Sequence, residues 1–416
     1  MLNIFGKHNA LRQKNLNKDI SKFELIALLA MMLALNALAI DIMLPALPQI
    51  AQDLGAQNAN DQQLVISAYM IGVGIAQLFF GPISDRFGRR PPLMAGFIIY
   101  IIASIAAMIA PNFITLLLLR FVQGLGTAVF RVVALAIMRD KFAGRAMAEV
   151  VSLVYMVFMV VPIIAPSVGQ LILFNGIWEL IFLFVALFGI IVGLWAFYRL
   201  PETLDPNNIR PLTFASIFGG FKIVVSHRFS FSYALAGMCF FGALLGMIMS
   251  SQQIFVDVYN LGNLFPIAFA GIGIFMAIAS FINSRIVKHL GMRKIAHFAI
   301  FTYIAASLTL SILSLFGHVP FIVFYILLIT CFFMFSWASA NMNSLSMQPL
   351  GKLAGTAASI FGFVQTLGAT IIGLIIGRFF NGTITPIAFG FAFMGLVALA
   401  LVLFAESGKL FGESEE

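Results

Sequence analysis

The chain has 416 residues, 61% hydrophobic and only 10% charged, with a formal net charge of +8. So little charge excludes an ordinary soluble domain. The basic residues sit between apolar runs, where they set membrane orientation, and do not form a patch suited to nucleic acid.

Residues 1–24 form a basic polar tail holding Lys7, Arg12, Lys14, Lys18 and Lys22. Apolar runs long enough to cross a bilayer as helices follow at 25–47, 62–82, 92–110, 113–138, 148–173 and 177–198. A polar linker, 199–228, carries Pro201, Glu202, Asp205, Pro206 and Pro211. Six more runs come after it, at 229–256, 264–284, 295–315, 320–345, 353–377 and 385–405, and then an acidic tail, 406–416. The reading is an all-α membrane protein of twelve transmembrane helices. Its two six-helix halves span 25–198 and 229–405. Ala37-Leu38-Ala39 faintly imitates a cleavage site, but the long apolar run before it and the many spans after it predict an uncleaved first helix.

Orientation follows from Lys and Arg. With the N-terminus inside, every one of them falls in the tails or the inner loops except Arg120, Arg131 and Arg378. Arg120 and Arg131 lie inside spans, and only Arg378 lies in an outer loop. Both termini are therefore expected in the cytoplasm of a bacterial inner membrane. A weak repeat relates the loop after span 2 to the loop after span 8, matching Ile83 with Ile286, Gly88 with Gly291 and Arg90 with Arg293. Two similar halves are a known transporter plan, with the binding site between them near the midplane.

The first span, from Leu25 to Pro48, carries Asn36 and Asp41 in an otherwise apolar run. Asp41 is the only acid well inside a span, and a carboxylate at that depth costs roughly 2.5–3.5 kcal/mol even on an insertion scale. Arg120, in span 4, is its candidate partner. Each residue lies roughly 10 Å from the outer end of its span at 1.5 Å per residue, so the two charges are expected at one level. Burial and a nearby cation act on a carboxylate's proton affinity in opposite senses, so such a site is suited to loading and releasing a proton. Contact between the two, or communication through Gln123 or water, stays open, as does a purely structural ion pair.

Four motifs carry a resemblance. Gly81-Pro-Ile-Ser-Asp85-Arg86-Phe-Gly88-Arg89-Arg90 matches the G-x-x-x-D-R-x-G-R-R/K signature of the major facilitator superfamily throughout. The resemblance implies a cytoplasmic latch, with Asp85 accepting from a helix N-terminus or an arginine. Arg120-Phe-Val-Gln123-Gly looks like the superfamily's R-x-x-Q-G signature, tied to proton transfer in exporters. Asp41-Ile-Met-Leu-Pro45-Ala-Leu-Pro48 resembles the first-helix end of Bcr/CflA-like drug:proton antiporters. The stretch 161–170 resembles the antiporter signature of helix 5. It keeps Pro166 and Gly169 beside Pro162, and departs from glycine at Val161, Ala165 and Gln170. Small residues and proline there are expected to permit a kink and close packing against helix 8.

The resemblance implies a proton-coupled secondary transporter, not an enzyme, that exports amphipathic small molecules. Protons and cargo are its implied partners in the bilayer, and it is expected to act as a monomer without nucleic acid. Neither a nucleotide-binding loop nor clustered His or Cys is evident, so the proton gradient would drive it without a cofactor. Asn36, Tyr69, Gln77, Arg131, Gln252, Asn341 and Gln365 are candidate cavity residues, each also suited to an interhelical contact. Arg131 has the further readings of snorkelling to the interface or pairing with Asp85 or Glu149. A proton symporter or facilitator importing a nutrient, and a sensor that transports nothing, are the competing functions.

Overall fold

The computed structural model describes residues 20–174, 176–206, 222 and 224–412. Residues 1–19 of the predicted basic tail, the central part of the linker and residues 413–416 lie outside the described residues. Among those described there is no strand, and twelve helices are long and apolar enough to cross a membrane.

The six helices of the first half are α1 (Lys22–Asp41), α2 (Leu64–Phe87), α3 (Arg90–Met108), α4 (Phe113–Lys141), α5 (Gly144–Leu173) and α6 (Glu179–Arg199). The second half has α7 (Arg228–Gln252), α8 (Phe265–Leu290), α9 (Met292–Leu315), α10 (Phe321–Met347), α11 (Ala354–Arg378) and α12 (Thr385–Ala405). Rows of exposed apolar side chains, such as Ile98, Ile102 and Ile105 on α3, mark outward faces suited to lipid. The opposite faces share a continuous buried core that runs through both halves. We call the side where α1 begins the near side, and the other the far side.

The first span departs from its predicted form. α1 ends at Asp41, six residues short of the expected end. Pro45 is the cause. It has no N–H to donate to the carbonyl of Asp41, four residues back, and its ring clashes there. The chain continues through a 3₁₀ turn, Leu44–Ala46, into a short helix, Leu47–Asp53, so Asp41 stands at a break within a longer spanning element.

The repeated loops are alike in backbone. Gly88 closes α2 at φ +93°, ψ 172°, and Gly291 closes α8 at φ +79°, ψ 155°. That region is essentially restricted to glycine, and in both places the next helix begins within two residues.

The halves meet along α2 and α11. The backbone of Leu367 packs against Gly74, Thr366 donates to Gln77 Oε1 at 3.2 Å, and Ser359 lies beside Gly81. At the far side they are joined by a polar seal. Arg378 pairs with Asp61 at 2.6 Å, and Gln63 donates to Gln253 Oε1 at 2.8 Å and to the Gly377 carbonyl at 3.0 Å. Gln253 donates to Asn60 Oδ1 at 2.9 Å, and Asn60 donates to the Phe380 carbonyl at 2.9 Å. Gln253 opens a π-helical segment, Gln253–Val258, which continues α7.

Two predictions follow from this geometry. Asp61→Asn combined with Arg378→Gln removes a half-exposed ion pair worth about 1 kcal/mol, which is about a fivefold shift in population. Spin labels at Gln57 and Thr383 should then show a longer far-side distance by pulsed electron resonance, and an unchanged distribution would deny the pair a role in closing that side. Gly88→Ala and Gly291→Ala should each cost roughly 1–3 kcal/mol of backbone strain. A β-carbon at Gly88 would also lie 2.5 Å from Glu202 Oε2, whereas none of the described atoms lies within 4 Å at Gly291. Thermal unfolding in detergent should therefore show the larger loss for Gly88→Ala, and equal losses would contradict the account.

Candidate functional site

The site is built on the break in α1. The last four carbonyls of a helix lack intrahelical partners, and Ala39 supplies one of them. Arg120 Nη2 donates to it at 2.9 Å. The same guanidinium donates through Nε to the Val65 carbonyl of α2 at 3.1 Å and through Nη1 to Gln123 Oε1 at 2.5 Å. It also stacks over the Tyr69 ring, 4.5 Å from the centroid. Arg120 is completely buried, and these neutral acceptors satisfy the rigid fork of an arginine without a carboxylate. A cation at a helix C-terminus also complements the helix dipole.

Gln123 passes the connection onward, donating to Ser104 Oγ on α3 at 2.7 Å, while Ser104 donates to the Tyr100 carbonyl at 2.6 Å. The Tyr69 hydroxyl reaches the Asn36 carbonyl and Oδ1, both at 3.4 Å. Four helices thus converge on one guanidinium. Gly124 makes this approach possible, because a β-carbon there would stand 2.1 Å from the Tyr69 carbonyl.

Asp41 is 5% exposed, so its side chain is turned away from lipid. The expected common level with Arg120 holds, since the guanidinium docks two residues before Asp41. The direct ion pair is absent among the described residues, and no hydrogen bond to the Asp41 carboxylate is formed among them. The two groups are linked instead through the end of α1. This corrects the structural ion-pair reading: the terminal backbone carbonyl of a broken helix competes for the arginine.

α5 crosses just beyond this point. A β-carbon on Gly169 would lie 2.0 Å from the Ile42 carbonyl, so the glycine brings α5 against the break in α1. The expected packing against helix 8 is also made within the 161–170 stretch, by Ile163 against Gly273 of α8. Pro162 and Pro166 lie inside α5, which continues through both.

The other candidate cavity residues are dispersed. Asn341 is buried and donates to Asn283 Oδ1 of α8 and to the Trp337 carbonyl, both at 2.8 Å. Gln77 is engaged by α11, Gln252 is buried beside the far-side seal, and half-buried Gln365 lies against Gly237 of α7. Asn36 and Tyr69 belong to the Arg120 cluster. Arg131 is exposed and forms no hydrogen bond or ion pair among the described residues.

At the near side, the Gly81–Arg90 loop is tied into its own half. Arg89 donates to Asp85 at 2.5 Å, to Ser84 at 3.0 Å and to Asp140 of α4 at 2.8 Å. Burial works against the Arg89 charge, but the hydrogen bonds it donates to Asp140 and Asp85 outweigh that and raise its pKa above the ordinary arginine value. Buried Glu202 accepts from the Arg89 backbone at 2.9 Å and from the Thr203 and Leu204 backbones, both at 3.0 Å, while Arg90 donates to the Phe197 carbonyl at 2.6 Å. Arg86 is exposed. Asp140 and Glu202 were missed as members of this cluster, as were Asp61, Gln63, Gln253 and Arg378 of the far-side seal. The one available signal was Arg378, the lone cation of the outer loops.

The profile of the Major Facilitator Superfamily matches residues 29–373. A bicyclomycin resistance protein homolog of Haemophilus influenzae is 26% identical over 400 residues, covering 95% of this chain and 99% of its own. The multidrug resistance protein MdtL of Klebsiella pneumoniae is 29% identical over 372 residues, covering 87% and 91%. Among solved structures, the human organic anion transporter MFSD10 superposes with a TM-score of 0.68 at 17% identity, covering 93% of this chain and all of its own. A bacterial homolog of the human lysosomal transporter Spinster, in an inward-facing and unoccupied conformation, superposes with a TM-score of 0.64 at 16% identity, covering 93% and 95%. With a twelve-helix fold in two halves and a profile match across most of its length, this chain belongs to the Major Facilitator Superfamily of membrane transporters.

Proposed function

We propose that the protein exports amphipathic small molecules in exchange for protons across a bacterial inner membrane, with both termini in the cytoplasm. The observation that carries this reading is Asp41: a buried carboxylate at a helix break, with no hydrogen bond formed to it among the described residues. Burying an unpaired charge is expensive, and taking up a proton removes that cost. The resemblance of the Asp41–Pro48 segment to drug:proton antiporters supports the direction of transport, as do the resistance-associated names of relatives over nearly the whole chain.

In this reading Asp41 carries the proton. Arg120 and Gln123 hold the broken end of α1 in place, so the carboxylate keeps its position while the halves rock. Opening the far-side seal gives Asp41 access to the periplasm, where it loads. Closing the seal and opening the near side lets cargo enter and the proton leave to the cytoplasm. Coupling requires only that cargo and proton bind the two arrangements unequally. The latch cluster of Asp85, Arg89, Asp140 and Glu202 braces the first half as a rigid body during that movement. No cofactor takes part, and the gradient supplies the work.

The test uses the full chain in liposomes with an imposed pH gradient and labelled chloramphenicol, bicyclomycin and ethidium as probes. Wild-type protein should move at least one of them against the proton flow, and Asp41→Asn should abolish gradient-driven movement while leaving the thermal transition in place. Accumulation by Asp41→Asn at the wild-type level would overturn the assignment of Asp41. Cargo moving with the protons would favour import.

A further inference from the structure

Arg131 lies on α4 eleven residues after Arg120. At 100° per residue the two side chains leave the helix about 20° apart, and about 16 Å separates them along its axis. The directions around α4 are fixed by its contacts. Ile114, Leu118 and Val122 are exposed and form the outward stripe. Gly126 and Phe130 pack on α3, against Gly96 and Phe97, while Gly124 packs on α2. The remaining sector, which faces the interior, holds Arg120, Gln123, Thr127 and Arg131. Arg131 stands about 180° from Val122 around the helix.

In that sector Arg120 and Thr127 are fully buried, yet Arg131 is exposed. An exposed residue on the interior face borders an internal opening, not lipid. It stands toward the near side, while the far side is sealed by Asp61, Arg378, Gln63 and Gln253. Snorkelling to the lipid interface does not describe this direction. The two acids considered as partners are also committed elsewhere, Asp85 to Arg89 and Glu149 to Lys22 at 2.9 Å. Nearby near-side acids are held as well: Glu24 by Arg199, Asp140 by Arg89, and Glu202 by backbone N–H groups. Arg131 therefore offers an exposed guanidinium on the interior face of α4 with no protein carboxylate bound to it among the described residues. Such a group pairs bidentately with a carboxylate from outside the chain.

We propose that Arg131 recognises a carboxylate on the transported molecule, so that the preferred cargo is an amphipath with an acidic group on an apolar body. The assignment rests on the transporter reading above and adds the cargo class. Arg131 acts near the cytoplasmic entrance, well separated along the membrane normal from Asp41. Cargo charge and coupling proton therefore occupy different places.

Equilibrium binding to the purified full chain, without a gradient, provides the test. The probes are nalidixic acid and its ethyl ester, which differ in the ionised carboxylate. A charge-assisted hydrogen bond predicts that wild-type protein binds the acid about tenfold or more tighter than the ester. Arg131→Gln should weaken acid binding by about that factor and leave the ester unchanged, with Arg131→Lys in between. A wild type that shows no preference for the acid, or an Arg131→Gln variant that weakens both probes equally or neither, overturns the proposal. Thermal transitions of both variants identify any general loss of fold. Proton coupling is scored separately with neutral chloramphenicol in liposomes, so a failed antiport assay and a failed acid preference are distinguishable.

Discussion

The hydrogen bond from Arg120 to the Ala39 carbonyl is the contact around which the first half is assembled. Pro45 stops α1 at Asp41 and leaves terminal carbonyls without intrahelical donors. In a membrane such groups have no water to turn to, and each unsatisfied one costs free energy. Arg120 answers that need with a fixed charge, and its own desolvation is offset by three acceptors and an aromatic face. Polar satisfaction at the break thus draws α1, α2, α3 and α4 to one point. Asp41 is placed as a consequence, beside a capped helix end but outside the arginine's hydrogen bonds.

The two sides of the molecule use charge differently. At the far side, Asp61, Arg378, Asn60, Gln63 and Gln253 bond across the boundary between halves, so these contacts must break for that side to open. At the near side, Arg89, Asp85, Asp140 and Glu202 bond within the first half. They stiffen one body and leave the boundary there to α2 and α11, where Gly81 and Ser359 meet and Leu78 packs into the apolar cluster around Phe361. A polar seal on one side and a smooth, small-residue contact on the other suit a pair of rigid halves that exchange openings.

Much of this was legible in the sequence because the membrane imposes long apolar periods. The twelve spans and the repeated glycine turns were readable from length, charge and spacing. Asp41 and Arg120 stood out because ionisable groups at depth are costly. What stayed hidden depends on three-dimensional competition. That Pro45 and Pro48 end or kink the first helix was legible, but its stop at Asp41, four residues before Pro45, was not. The partner of Arg120 was a backbone carbonyl, which carries no side-chain signature. Glu202 looked like an ordinary linker acid because its partners are backbone N–H groups reached through the fold. For Asn341 and Gln77 an interhelical contact was already legible, but not the partners, Asn283 and Thr366, which come from distant parts of the chain.

The central claim is that one carboxylate at a helix break binds a proton and yields it when cargo arrives. Infrared difference spectroscopy on reconstituted protein, recorded as cargo is added, reads that exchange directly. The account predicts loss of a protonated-carboxyl band on cargo binding, and no such change in Asp41→Asn. A spectrum without that loss, or an identical loss in the variant, would contradict it.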